Sequence, residues 1–340
     1  MRDALLTNHP GETPMMALAI RVGKARTPMT EPRPAGHMPS APETLSAEAR
    51  AYLAATVAMD ASTPIDLAMM RPMTEQIQAL VGAEQRKLHP VSVIEDLIAG
   101  VPVRRIAPTA GVADRSRVLL NLHGGGFATD SGSLTENIPV AALSGLEVIA
   151  VLYRFAPEHP FPAAVDDGLA VYRALLAEYD PRDIGLYGTS AGAVIGPQLM
   201  MRLQAESLPL PGVLGVFSGE SDLAGTADSL RIFASAAEEK VLTDAKWAYV
   251  GGADPHDPLV SPIFGDLSAF PPTLCLSSGR DILLSGTINL CRALSDAGVA
   301  AELVVYDALP HAFWSTMLAP ESDDAFRRMS SFLTKHLGRR

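Results

Sequence analysis

Hydrophobic and polar positions fall into two textures along the chain. Residues 1–43 contain seven prolines, Pro10, Pro14, Pro28, Pro32, Pro34, Pro39 and Pro42. They are too frequent for a helix and follow no period, so a loose arm is expected. Two helical patterns follow, from Ser46 to about Met59 and from Ile65 to about Val81, with Thr63-Pro64 marking the join. Their Leu, Met and Ala faces need a surface to cover. From Val91 onward short β-branched runs alternate with helix-length segments, the texture of a mostly parallel sheet. Val91 to Leu97 and Val101 to Ile106 flank a glycine-containing turn and read as a hairpin. Arg117–Leu122, Glu147–Leu152, Ile184–Tyr187, Val213–Phe217, Thr273–Ser278 and Glu302–Tyr306 are short and apolar, as strands buried on both faces are. The pattern predicts an α/β protein with eight strands: an arm over 1–43, a small helical layer over 44–85 and a large α/β domain over 86–340. No solenoid-length repeat interrupts it.

Composition narrows the function classes. Hydrophobic residues make up 48% of the 340 and charged ones 19%, the balance of a folded chain. The net charge of −11 supplies no general attraction for a phosphate backbone, so nucleic acid is not an expected partner. Two cysteines, Cys275 and Cys291, do not make a disulfide framework, and both are expected as buried thiols. No signal-peptide pattern opens the chain, and the most apolar stretch, Ile138 to Tyr153, is broken by Glu147. These features lead to the expectation of a cytoplasmic protein without a membrane span.

Three clusters carry chemistry. Gly188-Thr189-Ser190-Ala191-Gly192 stands between the strand Ile184–Tyr187 and a helical pattern beginning near Val194. A nucleophile on so sharp a strand-to-helix turn needs small residues two before and two after it, which Gly188 and Gly192 supply. The helix N-terminus behind Ser190 also aims amides and a positive dipole end at the reacting centre. A helix-capping serine in a glycine-rich turn is the plain alternative. His123-Gly124-Gly125-Gly126 follows the strand Arg117–Leu122, and its bare amides suit the oxyanion of an acyl-transfer intermediate. A phosphate loop or a simple flexible turn competes with that reading, although the Lys-Ser/Thr and spaced-Gly patterns of phosphate loops are missing.

A serine hydroxyl needs a base and an acid that orients it. Of eight histidines, His9, His37 and His89 lie in the N-terminal region, His159 and His256 in Pro-rich turns and His336 in the last helical pattern. His311 follows the strand Glu302–Tyr306 at a carboxyl end, where open α/β sheets place their sites. An ordinary surface-loop histidine is its alternative. Asp281 follows the strand Thr273–Ser278, with Asp254, Asp257 and Asp307 as rival acids. The order Ser190, Asp281, His311 is that of the α/β hydrolases. No His-Glu-x-x-His spacing appears, so neither metal nor cofactor is expected.

With these clusters in place, residues from about 90 onward resemble the bacterial hormone-sensitive-lipase-like esterases, often called family IV. Tyr153-Arg154-Phe155-Ala156-Pro157-Glu158-His159-Pro160-Phe161-Pro162-Ala163-Ala164 is similar to that family's YRLAPEHPFPAA segment, and Asp257-Pro258-Leu259-Val260-Ser261-Pro262 to another of its loops. The resemblance implies an α/β-hydrolase fold and hydrolysis of short-chain carboxylic esters by Ser190, His311 and Asp281. It implies oxyanion donors at Gly124, Gly125 and Ala191. His123 and Gly126 would support the loop, and Gly188 and Gly192 the nucleophile turn. The N-terminal helices would cap the site, with Met69, Met70, Met73 and Phe127 as candidate pocket residues, although core packing competes for each methionine. Relatives pair through the last strand and helix, here about Glu302 to Leu337, so a homodimer is expected. A lipase, lactonase or amidase using the same three residues, or a hydrolase-like binding protein, are the alternatives. Three departures stand out. Thr189 occupies the position of a common aspartate, as in a GTSAG subgroup. Asp281-Ile282-Leu283-Leu284-Ser285 lacks the usual proline and second acid. Ser218-Gly219-Glu220-Ser221-Asp222 lacks an aromatic residue.

Overall fold

Glycine and proline punctuation divides the chain into the elements that a computed structural model contains. It describes residues 40–55, 67–109, 114–225 and 227–338. The proline-rich arm as far as residue 39, and the expected continuation of the first helix past residue 55, lie outside these. The helices are α1 (Ala47–Ala55), α2 (Leu67–Leu88), α3 (Asn137–Ser144), α4 (Ala163–Leu175), α5 (Ala191–Ala205), α6 (Asp228–Phe233), α7 (Ala236–Val250), α8 (Leu284–Asp296) and α9 (Pro320–His336). The strands are β1 (Val91–Ile98), β2 (Val101–Pro108), β3 (Asp114–Leu122), β4 (Leu146–Val151), β5 (Ile184–Thr189), β6 (Val213–Phe217), β7 (Thr273–Arg280) and β8 (Ala301–Pro310).

The eight strands make one sheet in the order β1-β2-β4-β3-β5-β6-β7-β8. β1 and β2 form the expected antiparallel hairpin, β2 runs antiparallel to β4, and all later neighbours are parallel. Val, Leu and Ile fill the central strands because both faces are covered. Leu120, Leu122, Leu186 and Val216 belong to a core shared with α4, α5 and α8, while Leu119, Tyr187, Phe217 and Leu276 belong to one shared with α3 and α9. Cys275 and Cys291 are free and buried.

After β3 the chain adds β4 on one side, then crosses to place β5 on the other. The carboxyl ends of β3 and β5 therefore flank the point where strand order reverses, the crevice in which open α/β sheets hold ligands. The glycine run leaves β3 there, and Ser190 leaves β5.

Two element boundaries differ from the sequence expectation by more than three residues. The second N-terminal helix continues seven residues past Val81, to Leu88, because Gly82 lies against α3; a β-carbon there would meet Ile138 Cδ1 at 3.5 Å. β8 reaches Pro310, four residues beyond Tyr306, with its pairing to β7 shifted at Ser278/Arg280 and Ala308 at φ 55°. Residues 307–310, read as loop, are thus irregular strand, and His311 projects directly from the strand end. The N-terminal helices are fastened to the same unit. Ser46 donates from its amide and hydroxyl to Glu321 at 2.7 and 2.8 Å, and Gln78 of α2 donates to the Asp130 carbonyl at 2.8 Å.

Candidate active site

Ser190 sits between the last residue of β5 and the first of α5, at φ 55° and ψ −117°. A non-glycine residue holds such a conformation only where its surroundings over-determine it. Its amide donates to the Phe217 carbonyl at 2.9 Å, pinning the turn to β6. A β-carbon at Gly188 would stand 2.4 Å from the Gly192 backbone, so the tightness of the turn accounts for the glycine. These contacts present the Ser190 hydroxyl at the crevice.

His311 Nε2 lies 2.9 Å from Ser190 Oγ, and its Nδ1 lies 2.7 Å from Asp281 Oδ1. A carboxylate accepts and does not donate, so Nδ1 carries the proton and Nε2 is free to accept from the serine. Asp281 is fully buried and also accepts from the Ser277 hydroxyl at 2.6 Å and the Leu283 amide at 2.8 Å. Burial pushes its carboxyl up, but the charge and hydrogen bond of His311, with the hydroxyls of Ser218 and Ser277, outweigh it and hold the group below the ordinary carboxylate range. The rival acids are elsewhere: Asp254 and Asp257 accept amides of their own turn, and Asp307 is exposed.

The glycine run packs against the serine. A β-carbon on Gly124 would lie 3.4 Å from Ser190 Cβ, and one on Gly125, at φ 126°, would lie 2.0 Å from the Thr129 carbonyl oxygen. Among the described residues, neither amide donates to a protein group. The Ala191 amide belongs to the first turn of α5, where a helix leaves its N–H groups free. Three unpaired donors thus border Ser190. Gly126, at φ 59°, completes the turn.

His123 is buried below this loop and does not reach the serine hydroxyl. Its ring stacks on Tyr153 at 4.3 Å, and Nδ1 donates to the Gly124 carbonyl at 2.8 Å. The Tyr153 hydroxyl donates to the His123 carbonyl at 2.7 Å. Arg104 supports the loop as well, through an ion pair to Asp130 at 2.7 Å that leaves both side chains mostly buried.

Of the candidate pocket residues, Met69 and Met73 stand 69% and 48% exposed on α2, whereas Met70 is half-buried. Phe127 is buried, with its ring stacked on Tyr249 at 3.9 Å. Sequence reasoning missed Arg71, which ties α2 to the site. It donates to the Ala128 carbonyl at 2.9 Å, pairs with Glu158 at 2.7 Å and lies over the Phe155 ring at 5.6 Å. The segment lacking an aromatic residue contributes Glu220, Ser221 and Asp222 to a hollow of about 310 Å³ that none of Ser190, Asp281 and His311 lines. Burial pushes the Glu220 carboxyl there up to about 7. Among the described residues, no three His, Cys, Asp or Glu side chains converge as a metal-binding set, and no helix is long and apolar enough to cross a membrane.

An alcohol, an imidazole and a buried carboxylate in a hydrogen-bonded row, beside unpaired amides, are equipped for acyl transfer. Comparison with known proteins agrees. A family model described as the alpha/beta hydrolase fold matches residues 119–315. An acetyl-hydrolase of Streptomyces hygroscopicus is 32% identical over 65% of this chain and 77% of its own length. The solved structure of the esterase E25 superposes with a TM-score of 0.77 at 30% identity, covering 90% of this chain and 98% of that one. An esterase from the bacterial hormone-sensitive lipase family gives a TM-score of 0.71 at 30% identity, with 82% and 94% covered. The chain therefore belongs to the α/β-hydrolase fold family, and within it to the hormone-sensitive-lipase-like (family IV) carboxylic-ester hydrolases.

Proposed function

We propose that the protein hydrolyses short-chain carboxylic esters through an acyl-enzyme formed on Ser190. The observation that carries this reading is the row Ser190 Oγ, His311 Nε2, His311 Nδ1 and Asp281 Oδ1, with spacings of 2.9 and 2.7 Å. His311 takes the proton of Ser190 as Oγ attacks the ester carbonyl carbon. The oxyanion that forms accepts from the amides of Gly124, Gly125 and Ala191, each such donor lowering the barrier by roughly 3 kcal/mol. Collapse breaks the bond to the alkoxy group, which leaves with the proton from His311. Water then gives a proton to His311 and attacks the acyl carbon; the acid departs, and Ser190 recovers its proton. Asp281 stays ionised throughout, fixing the imidazole tautomer and offsetting its positive charge.

Ser190→Ala tests the mechanism. It should abolish turnover of p-nitrophenyl butyrate and labelling by a fluorophosphonate; retained turnover would sink the reading. A relative named an acetyl-hydrolase supports a small acyl group here, and a series of p-nitrophenyl esters from acetate to palmitate should peak at the short end. α1 and α2 serve as the cap, with Met70 and Phe127 nearest to a pocket role, and the Thr189-containing elbow supports membership of the GTSAG-type subgroup. β8 is a sheet edge with Leu303 and Val305 exposed, which suits pairing of two copies through β8 and α9. Light scattering reads that state directly. The free buried thiols fit a reducing, cytoplasmic compartment.

A further inference from the structure

A buried acid that this mechanism does not use lies beside the segments that carry Ser190 and His311. Glu136 stands immediately before α3, 3% exposed, with its carboxyl packed against Gly132; a β-carbon there would lie 3.1 Å from Glu136 Cδ. The carboxyl is turned toward the Thr189 hydroxyl and the Trp314 indole N–H. The Thr189 hydroxyl, the Trp314 indole N–H and Glu136 Oε2 are all buried without a hydrogen-bond partner among the described residues. Thr189 directly precedes Ser190, and Trp314, fully buried, lies three residues after His311.

We propose that Glu136 is a positioning residue for ester hydrolysis, joining the segments that carry Ser190 and His311 through Thr189 and Trp314 and so holding the two at reacting distance. The argument is one of complementarity. An indole N–H can only donate, and a carboxyl offers it an acceptor; a threonine hydroxyl can donate or accept, so a carboxyl oxygen can pair with it in either protonation state. Buried polar groups rarely remain unpaired in a native protein, and three converging on one point form a unit. The fold has placed this unit under the elbow and the base loop, where a displacement of about 1 Å between reacting groups can slow a reaction by roughly a hundredfold.

The charge state of Glu136 supplies a readout that a packing role does not move. Burial pushes its carboxyl up to about 8, against the pull of Thr189 and Trp314, and the charge of Asp130 adds to the rise. The other titratable groups that bear on it are Tyr153, after β4, and Tyr187, in β5, both held neutral by burial. Near neutral pH Glu136 is therefore an uncharged brace. Above its titration a negative charge appears beneath Ser190, where the oxyanion also develops.

The inference rests on the esterase reading, and kinetics of the full-length chain on p-nitrophenyl butyrate between pH 6 and pH 10 test it. Glu136→Leu removes the brace and should lower kcat roughly tenfold to a hundredfold with KM changed less than about twofold. Glu136→Gln keeps an acceptor for Trp314 and a donor for Thr189, and should restore kcat to within about threefold while extending the alkaline plateau by about one pH unit. Wild-type kcat in a folded Glu136→Leu protein, or equal losses in the two variants, would overturn the proposal. If Glu136→Leu does not fold, Glu136→Gln decides alone: an extended plateau supports the role, and an unaltered alkaline limb refutes it. Ser190→Ala in the same series separates the two readings, because turnover in that variant removes the esterase mechanism itself, whereas the Glu136 results bear only on positioning.

Discussion

Gly192 lies so close to Leu122 that a β-carbon on it would stand 1.7 Å from the Leu122 carbonyl oxygen. The first turn of α5 thus rests on the backbone end of β3, and the serine and the glycine loop are set by one contact. Gly192→Ala should force helix and strand apart, cost about 3 kcal/mol or more, and lower kcat further than its stability loss explains. Gly126→Ala is the control. Its β-carbon meets nothing within 4 Å, so only the positive φ of 59° is penalised, by about 1–2 kcal/mol. Equal melting temperatures for Gly192→Ala and the wild type would contradict the packing argument.

That contact explains why so much of this site is legible in the sequence. Backbone demands fix residue types at fixed spacing, so Gly188, Gly192 and the run Gly124 to Gly126 mark their turns locally. Runs buried on both faces show equally well, and β6 occupies the expected Val213–Phe217. Long-range side-chain partnerships leave no such mark. Arg71 reaches Ala128, Arg104 reaches Asp130, and Glu136 turns toward Thr189 and Trp314 across gaps that have no periodicity. The end of β8 was hidden for a different reason: Ala308 at positive φ bends a strand whose composition, Asp307-Ala308-Leu309-Pro310, reads as loop. Methionines at helical spacing point several ways round α2, so Met69 and Met73 emerge exposed although Met70 does not.

Asp281→Asn should reduce kcat by roughly 10⁴, because the amide favours the wrong imidazole tautomer and cannot offset its charge. Ser277→Ala is milder. It removes the 2.6 Å bond to Oδ2, one of the interactions holding the Asp281 carboxyl low. The carboxyl then protonates at higher pH, and the acid limb of kcat should move upward. A pH–rate profile that superposes on the wild type would show that Ser277 does not tune this group.

Arg71→Ala should loosen the hold of α2 on the segment at Ala128 and raise KM several-fold with kcat largely retained. Its ion pair with Glu158 is too exposed to matter much, at 32% and 52% of the side chains. The bond to the Ala128 carbonyl and the stack on Phe155 use the planar guanidinium, so Arg71→Lys should not recover the wild-type KM. Steady-state kinetics of the two variants distinguish this from a pure charge effect, in which lysine would suffice.

Stability should decline with rising pH through Glu136, and the sign follows from its two environments. In the unfolded chain a glutamate releases its proton near 4.5; in the fold, burial delays release to about 8. Between those values the native protein holds a proton that the unfolded chain has lost, so unfolding becomes easier as pH rises and levels off above about 8. The loss is on the order of a few kcal/mol, since one pKa unit corresponds to about 1.4 kcal/mol. Glu136→Gln has no proton to release at this position, while every other titrating group is common to both proteins. Urea midpoints at pH 5, 7 and 9 should therefore diverge, with the glutamine variant gaining on the wild type at each step. Parallel curves would mean that the carboxyl ionises in the fold as it does in water, and that the space under Thr189 and Trp314 is wetter than its burial implies.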